Sequence, residues 1–214
     1  MKINKGGAAR WTAGIVGGLM LAGVGSAAMA AFPDADDSKG VDVNVEIADV
    51  AGGALSLTVA GTETTLTEDG STATERAFTG TLPEVTVTDT RDDVPAGVFW
   101  YVTGQAGDFI GDAGQDAIPA AQLGWTPAEV TDGNGEVAAG DEIVPASDDA
   151  TQPGNNTGLV SGSDMLYMTL DSAEAKAAQG SWSTTADLLL KTDPNVAAGS
   201  YTSLLTLSLF EDSF

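Results

Sequence analysis

Apolar residues in this chain recur at every second position. Val41, Val43, Val45 and Ile47 alternate with Asp42, Asn44 and Glu46. Leu55, Leu57 and Val59 alternate after Gly52-Gly53, Val85 and Val87 alternate with Thr86 and Thr88, and Leu205, Leu207 and Leu209 alternate with Thr206 and Ser208. Successive side chains of a strand point to opposite faces, so this period marks half-buried strands. Val98–Thr103, Met165–Leu170 and Ala186–Leu190 also read as strands, and the last strand is expected over Tyr201–Phe210. Shorter strands are expected at Thr62–Leu66 and Ala73–Phe78. Gly, Asp and Pro clusters separate these runs. About eight or nine short strands punctuated this way predict an all-β fold, a single Ig-like β-sandwich.

Helix signals are few. Asp171–Gln179 has Asp or Ser at its start, alanines inside and Gly180 as a stop, and Ile118–Leu123 has room for a single turn. Thr126–Gly162 is loaded with Gly, Asp, Asn, Pro and Ala. It predicts a long acidic loop or inserted hairpin, and loops of that length are usually functional or mobile.

Composition removes whole classes of chemistry. The chain has 214 residues, no Cys and no His, and 8 Lys plus Arg against 31 Asp plus Glu. Disulfides are impossible, as are Cys or His metal sites and the Ser-His-Asp and Cys-His mechanisms. Nucleic acid is a poor partner, because phosphates demand Lys and Arg. From Asp92 to Ala175 there is no basic residue at all. The acidity keeps a protein soluble and repels anionic surfaces, and it makes divalent cations plausible counterions; salt adaptation is an equal reading.

Residues 1–30 look like an address. Lys2, Lys5 and Arg10 precede an apolar run from Trp11 to Val24, and Ala28-Met29-Ala30 has the A-x-A form of a cleavage site. Cleavage after Ala30 is expected. A retained anchor is the alternative, but the run is short against the roughly 20 residues of a membrane span. The product is expected outside the cell or at its surface, with no membrane association and no covalent anchor. Residues 31–39 are expected to be a mobile acidic lead, and 40–214 one domain.

Three stretches carry a family resemblance. They are Leu82-Pro83-Glu84-Val85-Thr86-Val87-Thr88-Asp89-Thr90-Arg91, the run from Trp100-Tyr101-Val102-Thr103-Gly104-Gln105 to Asp108-Phe109, and Ile118-Pro119-Ala120-Ala121-Gln122-Leu123-Gly124-Trp125-Thr126-Pro127. Gly199-Ser200-Tyr201 before the last strand fits the same picture. Together they resemble the WxL-domain family of secreted Gram-positive surface proteins, in the form found in high-GC actinobacteria. Of the two Trp-x-Leu motifs that name the family, the first corresponds to Trp100-Tyr101-Val102, with Val for Leu. The second corresponds to Leu207-Ser208-Leu209, with Leu for Trp. The resemblance implies a WxL-like β-sandwich that binds cell-wall peptidoglycan, or a surface protein, without chemistry of its own. The implied contact residues are Trp100, Tyr101, Trp125, Tyr201, Leu207 and Leu209.

Each of these residues has a plainer role beside the functional one. Phe99 and Tyr101 face one way in a strand and Trp100 the other, so one side is core and the other can show aromatic surface. Trp100 either stacks on a sugar or fills the core, and its size favours the core. Trp125 is an exposed anchor or a cap on the end of the sandwich, and Trp182 a packing residue. Arg91 pairs Asp89, Asp92 or Asp93, or else meets a wall carboxylate or phosphate.

The loop carboxylates raise the question of calcium. Asp108, Asp112 and Asp116 recur in a Gly-rich loop, and Asp132-Gly133-Asn134-Gly135-Glu136 begins like an EF-hand loop. That loop then has Val137 at its sixth place and Ile143 at its twelfth, where Gly and Glu belong. Solvated acidic loops are the plain alternative. Adjacent acids such as Asp92-Asp93 and Asp148-Asp149 do not make a cleft with opposed carboxyls, and no enzyme constellation is visible. Asn155-Asn156-Thr157 matches a glycosylation sequon. Finally, a long terminal strand can be exchanged with a neighbour. A fibre built this way, with Val41–Ile47 as donor, is the runner-up function.

Overall fold

The computed structural model describes residues 52–131 and 134–214. The expected signal segment, acidic lead, Val41–Ile47 strand and Asp132 lie outside the described residues. The elements in chain order are β1 Leu55–Val59, β2 Thr67–Glu68, β3 Arg76–Thr81, β4 Val85–Asp89, β5 Val98–Ala106, β6 Ile110–Gly111, β7 Leu123–Pro127, β8 Val137–Ala139, β9 Asp164–Thr169, α1 Ser172–Ala178, β10 Ser181–Thr184, β11 Ala186–Thr192, β12 Tyr201–Thr202 and β13 Leu205–Ser213. A single 3₁₀ turn covers Ala120–Gln122.

Two layers result. In the first, β3 and β4 run as one bent ribbon antiparallel to β10 and β11, from Thr192↔Arg76 to Ser181↔Thr88. The ribbon kinks at Leu82–Glu84, where the Leu82 amide still donates to the Ala186 carbonyl at 2.8 Å. β1 flanks β4, and β2 and β7 flank β3 and β11. The second layer is a four-stranded antiparallel sheet in the order β13-β5-β9-β8. β12 and β6 form a small separate pair. The fold is all-β and sandwich-like, as alternation predicts.

One continuous core joins the layers. Val85, Val87, Trp182, Leu188 and Leu190 come from the first layer and Trp100, Val102, Leu166 and Tyr167 from the second. Trp100 meets Tyr167 edge-on at 5.3 Å and Trp182 at 5.4 Å. The Tyr167 hydroxyl reaches across to donate to the Val85 carbonyl at 3.3 Å, and burial pushes its pKa up. Trp125 on β7 presses on Gly104 of β5, where a Cβ would sit 2.5 Å from the ring. Only glycine admits the indole there.

Several expected elements shift. Thr62–Leu66 is not a strand; its place is taken by β2, while Thr64 donates to the Thr81 carbonyl at 2.8 Å. The strand expected at Ala73–Phe78 begins three residues later, because Thr72 and Glu75 close a turn (Thr72 amide to Glu75 carbonyl, 2.8 Å). The strand expected over Tyr201–Phe210 breaks at Ser203-Leu204, where both residues bond Gly107. Asp171 caps α1 as expected, accepting from the Ala173 and Glu174 amides.

The long acidic loop is more ordered than its composition suggests. Asn155 is buried; its Oδ1 accepts from the Thr151 and Gln152 amides, and its Nδ2 donates to the Glu142 carbonyl at 3.0 Å. The sequon asparagine is therefore an organiser of the loop, with its amide nitrogen turned inward.

Candidate binding surface

β5 sorts its aromatics by phase. Trp100 and Val102 point into the core, so Phe99 and Tyr101 point out. β13 pairs β5 over nine residues without a register shift, placing Phe210 opposite Tyr101 and Asp212 opposite Phe99. Leu205, Leu207 and Leu209 pack against the core, which turns Phe210 outward. The Phe214 amide donates to the Gly97 carbonyl at 3.1 Å and brings the last ring to Phe99.

The result is a ladder of touching rings on the outer face of the second layer. Phe214 lies 4.7 Å from Phe99, Phe99 lies 6.0 Å from Tyr101, and Tyr101 lies 5.3 Å from Phe210, with interplanar angles of 32°, 26° and 25°. Met168 on β9 pairs with Tyr101 and extends the row. Phe210 is 45% exposed and Phe214 86%. Phe99 and Tyr101 between them are half-buried, and contiguous rings that reach the surface mark interaction sites more often than isolated surface apolars do.

The residues expected to make contact divide. Tyr101 belongs to the ladder. Trp100 and Trp125 are 0% and 1% exposed, so neither ring offers a stacking face, and this corrects their expected role. Tyr201 is half-buried against the core, its hydroxyl donating to the Ala197 carbonyl at 2.8 Å. Leu207 and Leu209 lie on the inner side of β13 and also pack on the core rather than on a ligand. Phe210 and Phe214 were missed, although the phase of Leu205, Leu207 and Leu209 already implies an outward Phe210.

Among the described residues the expected calcium ligands do not converge. Asp108 Oδ1 accepts from the Ala120 amide at 2.8 Å and holds the 3₁₀ turn. Asp112 sits in a turn whose amide bonds the Ser200 carbonyl, and Asp116 lines a different wall. Asn134 adopts a left-handed φ of 50° before β8, and the Glu136 carbonyl accepts from Thr169. Among the described residues no group of three acidic side chains is arranged to hold a metal.

Each basic side chain among the described residues is engaged internally. Arg76 pairs Glu68 at 2.8 Å, and Lys191 bridges Glu75 and Asp148. Arg91 grips the buried Asp89 with two nitrogens (2.7 and 3.0 Å) and reaches Glu211 on β13 at 2.7 Å. Lys176 donates to the Asp89 carbonyl at 2.6 Å. Burial works to raise the Asp89 pKa, but the hydrogen bonds and charge of Arg91 overcome it and hold the carboxyl below its ordinary value. The pairing expected for Arg91 is present, with Glu211 in place of Asp92 or Asp93. An open cleft of about 810 Å³ lies between the β3–β11 end and residues 116–122, with Glu75, Asp116 and Asp193 on its walls.

No family model, no curated protein and no solved structure matches this chain.

Proposed function

We propose that this is a secreted, non-catalytic surface protein of WxL-like type that acts by binding, to cell-wall glycan or to a surface protein, through the outer face of the β13-β5-β9-β8 sheet. The ring ladder Phe99–Tyr101–Phe210–Phe214 carries the reading. Covering apolar surface yields about 25 cal/mol per Å², and aromatic residues dominate the energetics of most interfaces. The buried core does not include these rings, and Phe210 and Phe214 are held exposed beside the half-buried Phe99 and Tyr101.

Sedimentation with purified cell wall tests it. Saturable retention that is lost in Phe210→Ser, with an unchanged circular dichroism spectrum, is the expected result. Retention indifferent to that substitution would remove the ladder from the function.

One observation favours self-assembly as a second reading. β13 is a nine-residue edge strand with no bulge against β5, no Pro and no Lys, the devices that usually keep edges from pairing. Among the described residues its outer edge has no strand partner. Concentration-dependent polymers in sedimentation velocity would bring this reading forward.

A further inference from the structure

We infer that the ring ladder receives a cationic protein segment, one presenting arginine or lysine beside apolar residues; this rests on the binding reading above and names its partner class. Three features point the same way. The rings overlap into one continuous ridge, with neighbouring planes tilted by 25° to 32°. Three of the four are phenylalanines without a polar edge, whereas a sugar ring needs several directed hydrogen bonds around the stacking face. The Tyr101 hydroxyl is the one phenolic group in the row.

The second feature is a carboxylate set into the ridge. Asp212 is opposite Phe99 and alternates with Phe210 and Phe214 along β13, so it shares their face. It is exposed, and its Oδ1 accepts from the Ser213 amide at 2.8 Å. Among the described residues it has no cationic partner. A guanidinium laid on an aromatic face beside a carboxylate gains a stacking contact and a charge-assisted hydrogen bond together.

The third feature is the field. With Arg76, Arg91, Lys176 and Lys191 all engaged internally, the described surface offers carboxylates and few cations to an approaching molecule. Such a field speeds the encounter with cationic partners and repels anionic polymers.

The test uses the full chain and three probes: a short peptide alternating Arg and Val, its Glu and Val counterpart, and a neutral chito-oligosaccharide. Binding is read by fluorescence anisotropy for the labelled peptides and by calorimetry for the sugar. The Arg and Val peptide is expected to bind, about tenfold more weakly to Phe210→Ser, and with a shallower salt dependence to Asp212→Asn. The acidic peptide is expected not to bind. Peptide binding indifferent to both substitutions would mean general attraction to an acidic surface and would overturn the inference. Sugar binding lost in Phe210→Ser, without peptide binding, would overturn the inference and leave the docking reading standing. If no probe binds, the inference falls, and the wall-retention experiment decides separately whether the docking reading falls with it.

Discussion

Trp100 and Phe99 are neighbours in sequence, yet one is wholly enclosed and the other opens onto a ridge of rings. Strand alternation alone separates them. The two kinds of position should respond differently to truncation. Trp100→Ala is expected to lose about 3–5 kcal/mol in urea denaturation, because the cavity it leaves is walled by Tyr167 and Trp182. Phe210→Ser, at a half-exposed site, is expected to change stability by about 1 kcal/mol or less. Asp89 is the other residue with large consequences. Its carboxyl binds its proton less readily in the folded chain than in the unfolded one. It therefore contributes stability that is complete above about pH 4 and fades as acid protonates the folded form. Asp89→Asn is expected to cost about 1–3 kcal/mol near neutral pH, because Arg91 keeps Glu211 and a neutral amide oxygen but loses the charged one, and to flatten the acid limb of the stability profile. A variant whose acid limb matches the parent's would show that Asp89 does not drive it.

Elements with clear alternation, or with runs of aromatic, β-branched and apolar residues between turn clusters, were the legible ones. β1, β4 and the body of β13 fall where period two puts them, and β5, β9 and β11 overlap the strands expected at Val98–Thr103, Met165–Leu170 and Ala186–Leu190. β7 escaped because Leu123, Gly124 and Trp125 are all buried, which erases the alternating signal. β10 escaped because Trp182 is the one apolar residue among Ser and Thr. Strand phase places Trp100 in the core and Phe99 and Tyr101 on the outer face, whereas β7, buried at three successive positions, has no phase from which the burial of Trp125 could be read. The fit of β7 on β5 makes its own prediction. Gly104→Ala forces a methyl into the Trp125 ring and is expected to cost about 1–3 kcal/mol, read as a lower urea midpoint. The loop around Asn155 makes another. Asn155→Ala leaves the Thr151 and Gln152 amides without their acceptor, and faster limited proteolysis within residues 141–158 is expected, with the β-sheets intact.

Across the whole described molecule, cations are tied down in pairs that join β3, the acidic loop, α1 and the end of β13 to their neighbours. Exposed apolar side chains are spread more widely, Ile110, Leu170 and Leu204 among them, but the exposed aromatic rings Phe210 and Phe214 are joined in the ladder on one sheet face. On the function proposed above, the outer face of the β13-β5-β9-β8 sheet is where the protein meets its partner. Amide hydrogen exchange with and without bound wall fragments, or with the Arg and Val peptide, tests it most directly. Slowed exchange is expected in β5, β9 and β13, with the cleft around Glu75, Asp116 and Asp193 unchanged. Protection confined to that cleft, with β13 exchanging as in the free protein, would contradict it.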